Sequence, residues 1–277
     1  MLRSGNGNPI DSETERFISS VYYDIDEIDD KYDAVFITNP TQKHAETLKA
    51  FSGKAKAFFI EKPVFHTSDV EISDLGLSDE VVYYVACPLR YNKVIQYVKN
   101  NIDITQILSV RAISSSYLPD WRPGVDYRKT YSAIKELGGG VSIDLIHEWD
   151  YITYLLGMPN KVHSFIKKIS NLEISSDDIA VYIGEYDDKM VELHLDYFSK
   201  KPIRELRIIL KDEVVTADII NGNVIYELAG KVVNLNEQRD DYQTKEIDNF
   251  FDLIERKAIN KNDLVNAYQV LKIAEGK

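Results

Sequence analysis

The sequence predicts a parallel α/β domain over residues 1–92, followed by an α+β domain over 93–277 built on an open, mostly antiparallel sheet. Three observations predict it. Before residue 100, short apolar runs alternate with helical stretches, the rhythm of parallel βαβ units. After residue 100, extended segments follow one another across short turns, which is hairpin rhythm. The chain has 277 residues and 44% hydrophobic content, enough for two such units.

Asp33–Thr38 is a short continuous apolar run, suited to a strand buried on both faces. Asn39-Pro40-Thr41 breaks it, and Thr41 is placed to cap a helix through His44, Leu48 and Phe51. Ala57–Ile60 is a second buried strand, halted by Glu61-Lys62-Pro63. A helix near Asp69–Leu75 and a strand at Val81–Val85 complete the alternation, and a helix starting near Asn92 leads out. Strands then follow at 107–117, 161–169, 178–187, 190–198, 204–211, 213–219, 223–228 and 231–235. One helix at 142–156 interrupts them, closed by Gly157 with Pro159 beyond. Helices at 240–257 and 263–275 end the chain.

Composition narrows the function. The formal net charge is −12, so phosphate backbones and anionic membrane surfaces repel the chain. Cys87 is the only cysteine, which excludes an internal disulfide framework and a cysteine zinc cluster. No apolar run approaches the ~18 residues of a spanning helix, and the first residues carry no signal-peptide core. The expectation is a cytoplasmic protein with neither nucleic-acid nor membrane partners.

An α/β half joined to an antiparallel half invites a search for a phosphate-binding glycine loop. Gly5-Asn6-Gly7-Asn8-Pro9-Ile10 is the one candidate, and it reads as a turn. No strand of useful length precedes it, and Ile10 stands where a third small residue is needed.

Three constellations can carry chemistry. Lys62 ends a parallel strand, where ligands bind, and an apolar wall there would lower its pKa for proton transfer; a solvated Glu-Lys turn is the alternative. Gly138-Gly139-Gly140 opens the helix bearing Asp144 and His147. On a single helix Leu145, Trp149, Ile152 and Leu156 form the core stripe, with Asp144, His147, Asp150, Tyr151 and Tyr154 opposite. Asp144 and His147, three apart, would then be neighbours, a carboxylate orienting an imidazole. The three glycines would let another group, such as a cofactor ring, approach the backbone. One histidine with no second ligand pair argues against a metal. The loop Asp120–Lys129 interleaves Trp121, Arg122, Tyr127 and Arg128, planar donors and aromatic faces suited to a sugar or an anion; a solvated connecting loop is the alternative.

These residues together resemble the glucose-fructose oxidoreductase / inositol dehydrogenase / MocA family across nearly the whole chain. The matching blocks are Thr38-Asn39-Pro40-Thr41 with His44, then Glu61-Lys62-Pro63 and Leu89-Arg90-Tyr91-Asn92. They continue through Trp121-Arg122-Pro123, Asp126-Tyr127-Arg128, Tyr131-Ser132, Leu137–Gly140 and Asp144–Asp150. The Asp120–Lys129 loop and the Gly138–Gly140 block look like a branch often associated with cell-surface carbohydrate synthesis.

The resemblance implies a Rossmann domain for NAD(P) and an open sheet that forms a homodimer or homotetramer contact. It implies Lys62, His147 and Asp144 around the reacting carbon, with Thr38, Asn39, Pro40, His44 and Glu61 along the cofactor's ribose and nicotinamide. Arg3 and Ser4 match the position that reads the adenosine ribose, and an Arg-Ser pair without an acidic residue leans towards NADP. Arg90, Trp121, Arg122, Tyr127, Arg128 and Tyr131 would contact the substrate.

The chain departs from the family by lacking its first strand, glycine loop and helix, and by spacing Asp144 and His147 three rather than four apart. The function expected is hydride transfer to or from a sugar or sugar derivative. A silent truncated homologue or sugar-binding scaffold, and a nicotinamide-assisted glycosidase, are the other readings. Without the phosphate cradle, NAD(P) affinity should fall roughly a hundredfold, from two lost charge-assisted hydrogen bonds.

Overall fold

A computed structural model describes residues 1–5, 9–28 and 31–277. Asn6, Gly7 and Asn8 of the candidate phosphate turn lie outside the described residues. A single helical turn, α1 (Ser12–Glu15), starts where Asp11 accepts from the Glu13 and Thr14 amides. Strands β1 (Val35–Ile37), β2 (Ala57–Ile60) and β3 (Val82–Val85) pair in parallel in that order. All four β2 residues are buried, as the middle position of a covered sheet requires.

Helix α2 (His44–Ala50) joins β1 to β2, entered by a 3-10 turn at Thr41–Lys43. Thr41 does not cap it; Asn39 instead donates to Thr47 Oγ1. The expected helix at Asp69–Leu75 is only a 3-10 turn, Ile72–Leu75, ended by left-handed Gly76. Helix α3 (Lys93–Asn101) begins where Asn92 accepts from the Val94 amide.

The second sheet contains β4 (Ile107–Tyr117), β5 (Lys161–Lys167), β6 (Ile179–Glu185), β7 (Met190–Asp196), β8 (Phe198–Leu210), β9 (Val214–Asp218), β10 (Asn223–Tyr226) and β11 (Lys231–Asn234). Its order is β11-β10-β9-β8-β4-β7-β6-β5, antiparallel throughout except for β4 beside β7. Alternation sets the faces: Ala180, Tyr182, Val191, Leu193, Leu195, Leu206 and Ile208 are buried, while Ile183, Glu192 and Arg207 are not.

The single helix expected at 142–156 is two: α4 (Val141–Asp144) and α5 (His147–Leu156). Leu145, Trp149 and Ile152 are buried as the stripe predicts, yet so are Asp144, Asp150 and Tyr151 from the supposed wet face. Trp149 packs edge-on to Tyr182 of the sheet, while α5 also contacts the last helix, so it is enclosed on both sides.

Helices α6 (Arg239–Ile254) and α7 (Leu264–Ala274) return to the first sheet. Phe250 meets Phe36 and Phe59 edge-on, both at 5.4 Å, and the Val85 amide donates to Asn262 O. The last two helices therefore pack on the first sheet although they follow the second in the chain. The β3 strand is finished by the end of the chain.

Candidate active site

Strand β2 delivers Glu61 and Lys62 to its carboxyl end, where the Lys62–Pro63 peptide is cis. The break after Asp144 places His147 on the first turn of α5. Lys62, Asp144 and His147 line one cavity of about 430 Å³, within the usual range for small-ligand sites. Lys62 Nζ donates to the backbone oxygen of Asp144 at 2.9 Å. Burial lowers the ammonium pKa, with Asp144 and Glu61 opposing. His147 is held well below its ordinary value by burial first, then by Lys62, Arg204 and Arg239. It is a neutral imidazole at pH 7.

The Asp144 carboxylate does not orient that imidazole. It accepts from the Tyr197 hydroxyl. The helix break is the reason: Asp144 and His147 belong to different helical turns, so the three-residue spacing does not make them partners.

The glycines are also filled differently from the expectation. A Cβ on Gly139 would stand 2.0 Å from Tyr131 O, and one on Gly140 2.2 Å from Asp177 Oδ1. The groups that approach are the chain's own backbone and Asp177, whose carboxylate accepts from the Ser142 amide at 2.9 Å. Glycine is required at both positions because a side chain would displace those groups.

Trp121 lines the cavity, its Nε1 donating to Ser116 Oγ. Arg122 lies over the Tyr131 ring at 5.7 Å. Tyr127 and Arg128 are drawn elsewhere: the Tyr127 hydroxyl accepts from the Glu173 amide, and Arg128 pairs with Asp126 and Glu173. Arg90 is a correction to the expected substrate set. Its guanidinium is buried against Asp150, at 2.8 and 2.9 Å, and also donates to Asn262 Oδ1 and Lys261 O. It lines a different cavity, between α3, α5 and α6.

His44 is likewise buried, its ring nitrogens at 3.2 Å from Val64 O and 3.0 Å from Asn39 O. It ties the loop after β1 to the turn after β2 rather than facing a ligand. Thr38, Asn39 and Pro40 are exposed beyond β1, with Glu61 half-buried beside them. The Arg3 amide donates to Tyr22 O, and Leu2 bridges Tyr22 in parallel.

Sequence reading missed Tyr197, Asp177, Arg204 and Arg239. Arg204 on β8 approaches the fully buried Glu148 at 2.7 Å, as an ion pair without hydrogen-bond alignment. Burial raises the Glu148 pKa and Arg204 opposes it. Arg204 from β8 and Arg239 from α6 line the cavity, while Tyr197 and Asp177 stand behind it, and no local motif marks any of the four.

The carboxyl ends of β1 and β2 fit the nicotinamide half of a dinucleotide: an exposed polar turn beside a buried lysine. Among the described residues no strand runs into a glycine-rich turn and helix to hold the pyrophosphate. No group of three metal-ligating side chains occurs among them, and no helix is long and apolar enough to cross a membrane.

Comparison with known proteins agrees with this architecture. The chain is 30% identical over 132 residues to inositol 2-dehydrogenase of Rhizobium meliloti (strain 1021), covering 45% of this chain and 37% of that one. It spans well under half the length of the curated relatives it matches. UDP-N-acetylglucosamine 3-dehydrogenase GnnA from Acidithiobacillus ferrooxidans superposes with a TM-score of 0.72 at 20% identity, over 92% of this chain and 80% of that one. Levoglucosan dehydrogenase in complex with NADH and levoglucosan gives 0.78 at 17%, over 95% and 82%. These superpositions establish the fold. The model of the oxidoreductase family with an NAD-binding Rossmann fold matches residues 7–74, and that of the GFO/IDH/MocA C-terminal domain matches 95–212. With both halves matched in family order, the chain belongs to the GFO/IDH/MocA oxidoreductases.

Proposed function

We propose that the protein is an NAD(P)-dependent dehydrogenase of a sugar or sugar derivative. One observation carries the reading: a buried lysine and a neutral histidine, both with lowered pKa, share a cavity at the carboxyl end of a parallel strand. Bound NAD(P) supplies a hydride acceptor or donor at nicotinamide C4. His147, uncharged at neutral pH, takes the hydroxyl proton as the carbinol is oxidised and returns it in the reverse direction. Lys62, anchored on Asp144 O, orients the hydroxyl and relays the proton. Asp144, held by Tyr197, fixes the wall on which Lys62 rests.

Thr38, Asn39, Pro40 and Glu61 would follow the nicotinamide ribose. Arg3 and Ser4 would read the adenosine ribose, favouring NADP. Trp121 and Tyr131 would face the sugar, with Arg122 behind the Tyr131 ring. Assembly would use the open face of the second sheet, where Phe165 is 63% exposed and Ile183 37%.

The test is absorbance at 340 nm with NAD and NADP against a panel of myo-inositol, levoglucosan and UDP-N-acetylglucosamine. His147→Asn should lower kcat about 100-fold or more on any substrate turned over. An unchanged rate would remove His147 from the mechanism.

A further inference from the structure

The proposed proton chemistry leaves two guanidinium groups in the cavity unused. Arg204 comes from β8 and Arg239 opens α6, and both line the space that holds Lys62, Asp144 and His147. Arg204 is 24% exposed at its side chain and meets Glu148 through Nε. Among the described residues its ion pair with Glu148 runs through Nε, and Arg239 forms no ion pair. The lining carries Lys62, Arg204 and Arg239 as cations against Asp144, with Glu148 paired behind. That local excess is positive in a protein of net charge −12.

A neutral sugar needs hydrogen bonds, not a pair of cations. Guanidinium forks match the planar oxygens of carboxylate or the tetrahedral oxygens of phosphate, and they hold either more strongly than they hold hydroxyls. Tyr242 and Gln243, one turn further along α6, line the same wall. Asp240 and Asp241 share the first turn with Arg239 but do not line the cavity.

We propose that the substrate is an anionic sugar, bearing a carboxylate or a phosphate, whose charged group lies between Arg204 and Arg239 while its carbinol lies at Lys62 and His147. This rests on the dehydrogenase reading and narrows its substrate class. It predicts that binding is selective before any hydride moves.

The experiment is calorimetric titration of the protein and its Arg239→Gln variant with D-glucuronate, D-glucose 6-phosphate and D-glucose. One anionic sugar should bind at least about tenfold more tightly than D-glucose, and R239Q should remove most of that preference. Raising the salt should weaken only the anionic arm. A stronger response to glucuronate identifies a carboxylate site, and to the 6-phosphate a phosphate site. Arg204→Lys, which keeps a cation against Glu148 but loses the fork, should give an intermediate loss. Equal binding of charged and neutral sugars, no binding of either anion, or an R239Q variant with its preference intact overturns the proposal. Calorimetry needs no turnover. Anion selectivity without turnover would therefore sink the dehydrogenase reading alone, and turnover of neutral sugars untouched by R239Q would sink only this proposal.

Discussion

Removing the Asp150 carboxylate should cost the protein much of its stability while leaving substrate affinity alone. Asp150 and Arg90 are 10% and 6% exposed at their side chains, and the carboxylate takes two of the guanidinium's bonds, from Nε and Nη2. In Asp150→Ala the guanidinium keeps only Lys261 O and Asn262 Oδ1. Arginine cannot shed its proton to escape the low dielectric. Breaking one side of such a buried pair costs about 3–5 kcal/mol. At roughly 2–4 °C per kcal/mol for a chain of this size, Tm should fall on the order of 10 °C. Arg90→Met combined with Asp150→Leu should recover much of that loss, because two apolar groups replace the pair. Urea denaturation of the single and double variants measures both quantities. The reasoning is refuted if D150A loses under about 1 kcal/mol, or if Arg90→Lys keeps the fold but raises KM tenfold, which would return Arg90 to the substrate.

Gly139→Ala should destabilise by about 2–3 kcal/mol or more, since its methyl group meets backbone oxygens that have no rotamer to yield; a thermal melt shows it. Glu246 is buried against the Cys87 amide and the Tyr84 hydroxyl, and burial raises its pKa to about 7. A folded pKa above the ordinary carboxyl value means the folded state holds the proton longer. Its stability contribution is therefore complete below pH 4.5 and lost as pH climbs through 7, by roughly 3 kcal/mol in all. Glu246→Gln should flatten that slope in melts at pH 5.5 and 8, and a slope that persists would assign it to other groups.

The strands were legible because burial on one face or on two writes itself into apolar periodicity. Ala57–Ile60 and the hairpins β5 to β7 and β8 to β11 follow that rule closely. Lys62 and His147 could be singled out in the sequence because one precedes a proline at a strand's end and the other lies on the helical stretch that a glycine run opens. The partnership of Asp144 was not legible, because a two-residue break in the helix separates it from His147 and hands it to Tyr197, far from it in sequence. Arg90 misled for a related reason: an arginine in a motif can serve a ligand or a buried carboxylate, and only Asp150 on α5 decides between them. Arg204 and Arg239 look like ordinary surface cations until the second sheet and α6 close around the cavity.

The clamp of Asn262 on Val85 bears on how the chain is made. Its side chain donates to Val85 O and its backbone accepts from the Val85 amide, although 177 residues separate the two. At ribosomal speeds of about 5–20 residues per second, the first sheet waits roughly 10–35 seconds for the segment that completes it. During that interval β3 has an unfilled margin, and the aromatic face of Phe36, Phe59 and Tyr84 lacks Phe250. The amino-terminal half is thus synthesised first but finished last. Its vulnerability to proteases and to misassembly belongs to the nascent chain, and ends when the carboxyl-terminal helices dock.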